Sequence, residues 1–583
     1  MSINSIRRMI RQERETNLVT DHTTDDYQVT ALEWERIFLK FTVETARDEE
    51  VSFGLRHFNR KRRRPKKGER YSQIIDMPIF GEVPIKPESV ERADGKTKYH
   101  FMLNITAVDG NAFLDNGKWQ VQANVPGEEP FTCSVAYDLA YLLDDKSRIY
   151  KYDDGKYAYN VSFGTYSVDG KTLSLMISSY FLIENDDWQR RRYVQEATTL
   201  RGKFDRMHQY AVIEGMRAYY AIVEKLSPKK GDKIMFMTET KPYLWGNLKY
   251  IDDRMKARGL DKKFKVTYSL RNAVGTHKSA LSWAGLITKI AKQDYIFVDD
   301  YVPVFGFLEL ADRTKLIQVW HAGEGFKAVG YCRFGKAGTP FPVGSCHKQY
   351  DYAITGSKRL VHVYSEVFGL PEENFLPVGM ARLDGFLDPD KIAAFRKEFY
   401  AEYPQFEGKK IILFAPTFRG TGQKVAFYEY ERLDMKRIYD FCGDEYVWVF
   451  KMHPFVTDKP PIPKEYSDRI FDLSSFENIN DLYYVTEIMI TDYSSAYFEF
   501  ALMEKPVLFF TYDRECYELT RGVHKSVKDD APGKVCDSFD ELMEALKNKD
   551  YDYEKTEAFR EANFSNYDGQ AADKIIDTIL LGK

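Results

Sequence analysis

Apolar and polar positions follow two different rhythms along this chain. From about Thr30 to Ile183 the apolar residues come in short alternating runs: WERIFLKFTVE, KYHFMLNITAVDG, KWQVQANV, KYAYNVSFGTYSVDG and TLSLMISSYF. Asp-Gly and Asn-Gly turn signals divide them, which predicts antiparallel strands. KYHFMLNITAVDG and KYAYNVSFGTYSVDG resemble each other weakly, so two related β-modules are expected. From Lys203 to Leu226 apolar residues recur at helical spacing until SPKKGDK ends the pattern, and a connecting helix is predicted. Beyond it the rhythm changes to strand, loop, helix. KIMFMTE, KFKVTYS, YIFVDD, LIQVWH, YDYAITG and FLPVGM form one series, and IILFAPT, YVWVFKMH, EIMITDYS and PVLFFTY form a second. Near-continuous apolar runs are those of strands buried on both faces, hence parallel sheets covered by helices. The expected fold class is α/β, with two doubly wound domains facing a cleft behind a β-rich N-terminal domain. The expected boundaries are a basic segment over 1–29, the β-rich domain over 30–200, the connecting helix over 201–230, and two lobes over 231–390 and 391–583.

Composition narrows this picture. A chain of 583 residues is too long for one core. Its net charge of −4 argues against a general nucleic-acid binder, so attraction to anions has to be local. Six cysteines without C-x-x-C spacing read as reduced thiols rather than disulfides or a zinc site. No signal-peptide pattern follows the charges of MSINSIRRMIRQERE, and no run of 18 apolar residues is present, so an intracellular protein without a membrane span is expected. Positive charge is concentrated in RHFNRKRRRPKKGER, with nine Lys and Arg against one Glu, in Arg190–Arg192, and in Arg7, Arg8 and Arg11. One such cluster is ordinarily a solvated loop. Three in an acidic chain point to an anionic surface, where each basic residue near a membrane is worth roughly 1 kcal/mol.

The candidate chemistry lies where apolar runs end. In LIQVWHAGEGFKAVG a lone histidine, His321, stands between a strand and a glycine-bearing loop, the place where open α/β sheets collect ligands. A buried structural histidine is the equal alternative. In the second series IILFAPTFRG offers Thr417 and Arg419, VWVFKMHPF offers Lys451 and His453, and EIMITDYSSAYFEFA offers Thr491, Asp492, Ser494 and Ser495 before a helical pattern. A helix start there would present free N–H groups to an anion, and the serine hydroxyls would add donors. Glu499, one turn on, would accept from ribose hydroxyls. Each feature has a plain structural counterpart: a helix cap, a surface salt bridge, a packed loop residue. Together at three successive strand ends they suggest a diphosphate clamp. Asp299-Asp300 looks like a metal-binding pair, but acidic residues at strand ends often cap helices, and no metal is assigned. Lys327, Arg333, Lys336 and Lys348 form a basic lip after His321.

VWHA with a following GFK-x-VG, then GMARLD, APTFRG, FKMHPF and ITDYSS in this order resemble the CDP-glycerol/CDP-ribitol polyolphosphotransferases of teichoic acid synthesis. The longer loop WHAGEGFKAVGYCRFGKAGTPF is more similar to the ribitol-phosphate polymerases, where glycerol-type members more often read W-H-G-T-P-x-K. The resemblance spans roughly Gly231 to Asp540. It implies a GT-B type catalytic unit and attack of a terminal hydroxyl of a lipid-linked acceptor on the polyol-bearing phosphate of a CDP-polyol, with CMP leaving. His321 matches the family's catalytic histidine, which would take the acceptor's proton. His453 matches the second functional histidine. Thr417, Arg419, Lys451, Thr491, Asp492, Ser494, Ser495 and Glu499 would hold the donor, and Gly323 and Lys327 would lie at the substrate. Arg382, at the crossover with Gly379 and Asp384, either reaches the substrate or holds the hinge. Implied partners are the CDP-polyol, the lipid-linked polyol-phosphate acceptor and an anionic membrane surface at the cytoplasmic face. Self-association is also expected, and neither nucleic acid nor any cofactor is implied. CDP-glycerol is the alternative donor. A nucleotide-sugar glycosyltransferase and a non-catalytic polyanion-binding scaffold are the competing classes.

Overall fold

The computed structural model describes residues 23–58, 60–63, 73–76, 82–105, 107–108, 114, 117–152, 157–167, 171–183, 200–271, 279–323, 346–420, 426–521, 523 and 525–583. Arg7–Arg11, most of the Arg56–Arg70 cluster, Arg190–Arg192, Lys327, Arg333 and Lys336 lie outside the described residues, as does the side chain of Lys348. Two compact units result, and the division falls between Tyr210 and Ala211, inside the helix Leu200–Leu226.

The first unit is built on one 11-stranded sheet, with a two-stranded hairpin beside it in sequence. Alternation explains it: Phe38–Thr45 buries every second residue, and Phe41, Phe53, Phe101 and Trp119 fill the core. Four expectations need correction. The two similar runs belong to this single sheet and not to two modules, because Lys96–Asn104 and Tyr157–Tyr166 are joined through its continuous pairing. WERIFLKFTVE is a hairpin, with Glu35 facing Phe38 across Arg36, whose φ is +55°; no Gly or Asn marks this turn. Its first strand already begins at Thr23, inside the stretch expected to be a basic segment. The helix Arg514–Arg521, expected with the last lobe, belongs to this unit. Its Cys516 lies in the unit's core, and Thr165 Oγ1 donates to the Leu519 carbonyl at 2.8 Å.

The second unit holds two six-stranded parallel sheets. The first comprises β1 (Lys233–Thr238), β2 (Lys265–Leu270), β3 (Tyr295–Val298), β4 (Lys315–Gln318), β5 (Tyr352–Ile354) and β6 (Phe375–Leu376), in the order β2-β1-β3-β4-β5-β6. The second comprises β7 (Lys410–Phe414), β8 (Tyr446–Phe450), β9 (Ile470–Asp472), β10 (Thr486–Thr491), β11 (Val507–Phe510) and β12 (Lys534–Cys536), in the order β9-β8-β7-β10-β11-β12. Their registers are parallel throughout. Strands such as YVWVF are buried at every residue, as sheets covered on both faces require. The direction of strand addition reverses between β1 and β3 in the first sheet and between β7 and β10 in the second. Such switch points leave a crevice at the carboxyl ends of the strands.

The terminal segment crosses back, contrary to its expected place with the second sheet. Ala572, Ile575, Ile576, Ile579 and Leu580 pack into the core of the first sheet. Asp384 accepts from the N–H groups of Ala571 and Ala572, both at 2.9 Å, and thereby caps the helix Ala571–Ile575. Arg254 and Arg258 pair with Asp573 at 2.8 and 2.9 Å. Among the described residues no helix is long and apolar enough to cross a membrane.

Candidate functional site

At the second sheet's switch point the loop after β7 is laced to the loop after β10. The Asp492 carboxylate, fully buried, accepts from the N–H of Thr417 at 2.7 Å and of Tyr493 at 2.6 Å through Oδ1. Its Oδ2 accepts from Arg419 Nη1 at 2.8 Å. The same guanidinium donates to the Thr417 carbonyl at 2.8 Å and lies 5.2 to 5.6 Å from the rings of Tyr428, Tyr493 and Tyr512. Thr491 Oγ1 donates to the Ala415 carbonyl at 2.9 Å. Thr491 and Asp492, expected at the substrate, are therefore turned inward and hold the loop that carries Thr417. Their burial follows from Thr491 ending a central strand. The Thr417 hydroxyl is buried with no hydrogen-bond partner among the described residues, a group of the kind that calls for an acceptor or donor from elsewhere.

Ser494 and Ser495 are half-buried at the start of the helix Ala496–Phe500. That helix has five residues, so its dipole is small and the hydroxyls and loop N–H groups carry most of any pull on an anion. Glu499 is only 3% exposed and accepts from Arg382 Nη2, a residue reaching over from the end of the first sheet. Burial raises its carboxyl above the usual range, with Arg382 and His321 opposing. Glu499 thus meets Arg382 rather than a solvent-facing ribose position, and the ion pair ties the segment after the first sheet to the short helix of the second.

After β8, Lys451 is 6% exposed and donates to the Ser474 carbonyl at 3.0 Å. Burial lowers its ammonium to about 8, helped by the charge of Lys241 and opposed by Asp472. His453 follows, its ring 4.8 Å from Phe418 and 4.7 Å from Phe455. Its Nδ1 accepts from the Phe455 N–H at 3.1 Å. A ring nitrogen that accepts bears no proton, so the proton of the neutral ring sits on Nε2.

His321 has the opposite arrangement. Its Nδ1 lies 3.1 Å from the Asp299 carbonyl, which only accepts, so in the neutral ring Nδ1 carries the proton and Nε2 the lone pair. Asp300 Oδ1 is 3.9 Å away, and the side chain is 52% exposed. The turn that presents it is strained. Trp320 has φ +50°, a conformation costing about 1–3 kcal/mol in a non-glycine residue. Three contacts enforce it: the Trp320 N–H donates to Gln318 Oε1 at 2.8 Å, and Asn247 Nδ2 donates to the carbonyls of Val319 and Trp320 at 3.0 and 2.8 Å. Asn247 Oδ1 in turn accepts from the Arg382 N–H at 3.0 Å. Sequence reading missed Asn247; its available signal was an amide in the first turn of the helix Gly246–Ala257, in LWGN. Asp299, next to the switch point, is pushed up to about 6 chiefly by burial.

Gly323, expected to touch substrate, is buried, and its carbonyl accepts from the Tyr364 hydroxyl. A Cβ at Gly323 would overlap the ring of Phe498, and one at Gly356 would lie 2.6 Å from its Cζ. The second sheet's short helix thus seats Phe498 against two glycines of the first. Among the described residues no cluster of three or more His, Cys, Asp or Glu is gathered to hold a metal.

A family model described as CDP-glycerol:poly(glycerophosphate) glycerophosphotransferase matches residues 219–581. The chain is 37% identical over 358 residues to the teichoic acid poly(ribitol-phosphate) polymerase of Bacillus spizizenii, covering 61% of this chain and 58% of that protein. It is 36% identical over 353 residues to the teichoic acid ribitol-phosphate polymerase TarL of Staphylococcus aureus, covering 60% and 63%. The match thus spans less than two thirds of either relative. The structure of the wall teichoic acid polymerase TagF shares the fold with a TM-score of 0.51 at 21% identity, covering 65% of this chain and 96% of that one.

Proposed function

Because the chain belongs to the CDP-glycerol:poly(glycerophosphate) glycerophosphotransferase family, we propose that it transfers a polyol phosphate from a CDP-polyol to the terminal hydroxyl of a lipid-linked teichoic acid acceptor. Ribitol phosphate is the favoured unit, since the two relatives above are named as ribitol-phosphate polymerases. In this reading the two parallel sheets are the lobes of a GT-B type unit, with the acceptor at the first and the donor at the second.

The observation that carries the proposal is the opposite surroundings of the two histidine Nδ1 atoms, a backbone carbonyl at His321 and a backbone N–H at His453. His321 Nε2, with its lone pair free and its ring half exposed, takes the proton of the acceptor hydroxyl as the oxygen attacks the polyol-bearing phosphorus. Such general-base action contributes about 10²–10⁴-fold. The new P–O bond forms as the bond from that phosphorus to the bridging oxygen breaks, and CMP departs with that oxygen. His453 Nε2–H donates to the diphosphate as charge builds on it, and Ser494, Ser495 and Thr417 supply further donors. Asp492 and Arg419 hold the Thr417 loop in place before substrate arrives. The basic clusters read from the sequence are assigned to an anionic membrane surface, where a lipid-linked acceptor resides.

The test is CMP release by the purified chain given CDP-ribitol or CDP-glycerol with a lipid-linked acceptor analogue. Release with CDP-ribitol, lost in His321→Ala, is expected. Release with CDP-glycerol alone would change the polyol, and release of UDP or GDP from nucleotide sugars instead would replace the reaction class.

A further inference from the structure

Gln318 ends β4, between β3 and β5, and is fully buried. Leu316, Ile317 and Val319 around it are apolar, as a strand covered on both faces requires, and the motif VWHA begins one residue later. An amide buried in such a strand needs its hydrogen bonds made. Gln318 Oε1 accepts from the Trp320 N–H at 2.8 Å, while Nε2 donates to the Asp300 carbonyl at 3.2 Å and to the Tyr350 hydroxyl at 3.0 Å. These partners fix the amide's orientation, since an N–H calls for the oxygen and a carbonyl for the nitrogen. Tyr350, itself buried, then has its own proton for His347 Nδ1 at 3.1 Å or Cys346 Sγ at 3.4 Å. The two backbone groups that Gln318 grips adjoin the base on either side. Asp300 follows Asp299, whose carbonyl lies 3.1 Å from His321 Nδ1, and Trp320 precedes His321. One planar side chain therefore spans the same two loops, after β3 and after β4, that the histidine ring spans.

We infer that Gln318 is a positioning residue for His321. Its amide, seated on Tyr350, sets the separation of the Asp300 carbonyl from the Trp320 N–H, and with it the reach from the Asp299 carbonyl to the ring. The inference rests on the transferase reading for the proton that Nε2 takes, and it adds a determinant of the base's tautomer and aim that lies outside the motifs quoted above. Without the amide, the strained Trp320 turn loses one of the three contacts that enforce it, and the Asp300 carbonyl loses this donor. A base displaced by about 1 Å from its hydroxyl loses about 10²-fold in rate.

The test uses the full chain, Gln318→Met, which keeps the length and removes the amide, and Tyr350→Phe, which removes only its support. Two readouts are taken: the nitrogen-15 shifts of the His321 ring in histidine-labelled protein, and CMP release from CDP-ribitol with a lipid-linked acceptor analogue. In Gln318→Met the His321 shifts are expected to move from the Nδ1–H form toward a mixture of tautomers, with kcat down about 10- to 100-fold and KM for CDP-ribitol unchanged. Tyr350→Phe moves both readouts in the same direction by less, and it decides the matter if Gln318→Met does not fold. Wild-type shifts in the folded variants would overturn the positioning role, even with kcat reduced, because a merely structural residue lowers activity without changing the tautomer. Failure of the two readings is separable. A moved His321 tautomer in a chain that releases no CMP from any CDP-polyol keeps the positioning role and removes the transferase; CMP release with an unmoved tautomer does the reverse.

Discussion

The two parallel sheets of the second unit follow one plan and finish it differently. Both place their candidate functional side chains just beyond strand ends, near a reversal of strand order. At the second sheet the loops are tied by buried charge: Asp492, Arg419 and the Thr417 backbone form one closed set with little exposure. At the first, the loop is held by neutral hydrogen bonds from Asn247 and Gln318 against a strained Trp320, and the ring it presents is half exposed. A surface that grips a diphosphate profits from charges fixed in advance in a dry setting. A base that must meet a mobile hydroxyl needs access and a free lone pair instead. In the proposed reaction, the same contrast lets one histidine offer a proton and the other a lone pair.

The largest expected effect of breaking this contrast is at His321. His321→Ala lowers the CMP-release rate about 10²–10⁴-fold while CDP-polyol affinity, read by calorimetry, changes little. An equivalent loss of donor affinity would assign His321 to the binding half. Next is Asp492→Ala, which leaves the Arg419 guanidinium buried beside tyrosine rings without its counter-ion. It is expected to destabilise by about 3–5 kcal/mol in denaturant unfolding. A change within experimental error would mean that the second half is not held by charge. Gly323→Ala should come third, at about 1–3 kcal/mol with reduced activity, because its methyl meets the Phe498 ring. Phe498→Leu in the same chain is expected to restore much of the loss; absence of rescue would place the clash elsewhere.

The smallest effect is on pH dependence. Lys451 in the free protein titrates at about 8, below its ordinary value, because of burial and Lys241. If Lys451 takes part in the proposed donor binding, its charged form is the one that attracts the diphosphate, and affinity is full below about 8. Above it, a proton has to be taken up on binding, and affinity falls as pH rises. Lys451→Met should remove this dependence, and its persistence there would locate the titrating group elsewhere.

Strand ends were legible in the sequence because continuous apolar runs such as IILF and YVWVF stop abruptly at Ala415 and Lys451. Both histidines and the serine pair could be found from that alone. Which way the polar residues turn was not legible, since it depends on contacts between distant segments. Asp492 and Glu499 looked like ligands for a substrate, yet each meets an arginine, Arg419 at 73 and Arg382 at 117 positions' separation. Gly323 looked like a residue at the substrate, and its requirement for no side chain comes from Phe498, contributed by the other sheet. The helix Arg514–Arg521 carried no sign of its membership in the β-rich unit, because that packing is decided by a core more than 300 residues earlier in the chain, as the 354-position Thr165–Leu519 bond illustrates.

The most direct measurement of the central claim is the proton position on the two rings, read from nitrogen-15 shifts of histidine-labelled protein above its titration range, with His321→Gln and His453→Gln giving the assignments. The expected spectrum shows His321 protonated at Nδ1 and His453 protonated at Nε2. The same tautomer at both histidines, or the reverse of this pair, would contradict the division into a base on one sheet and a proton donor on the other.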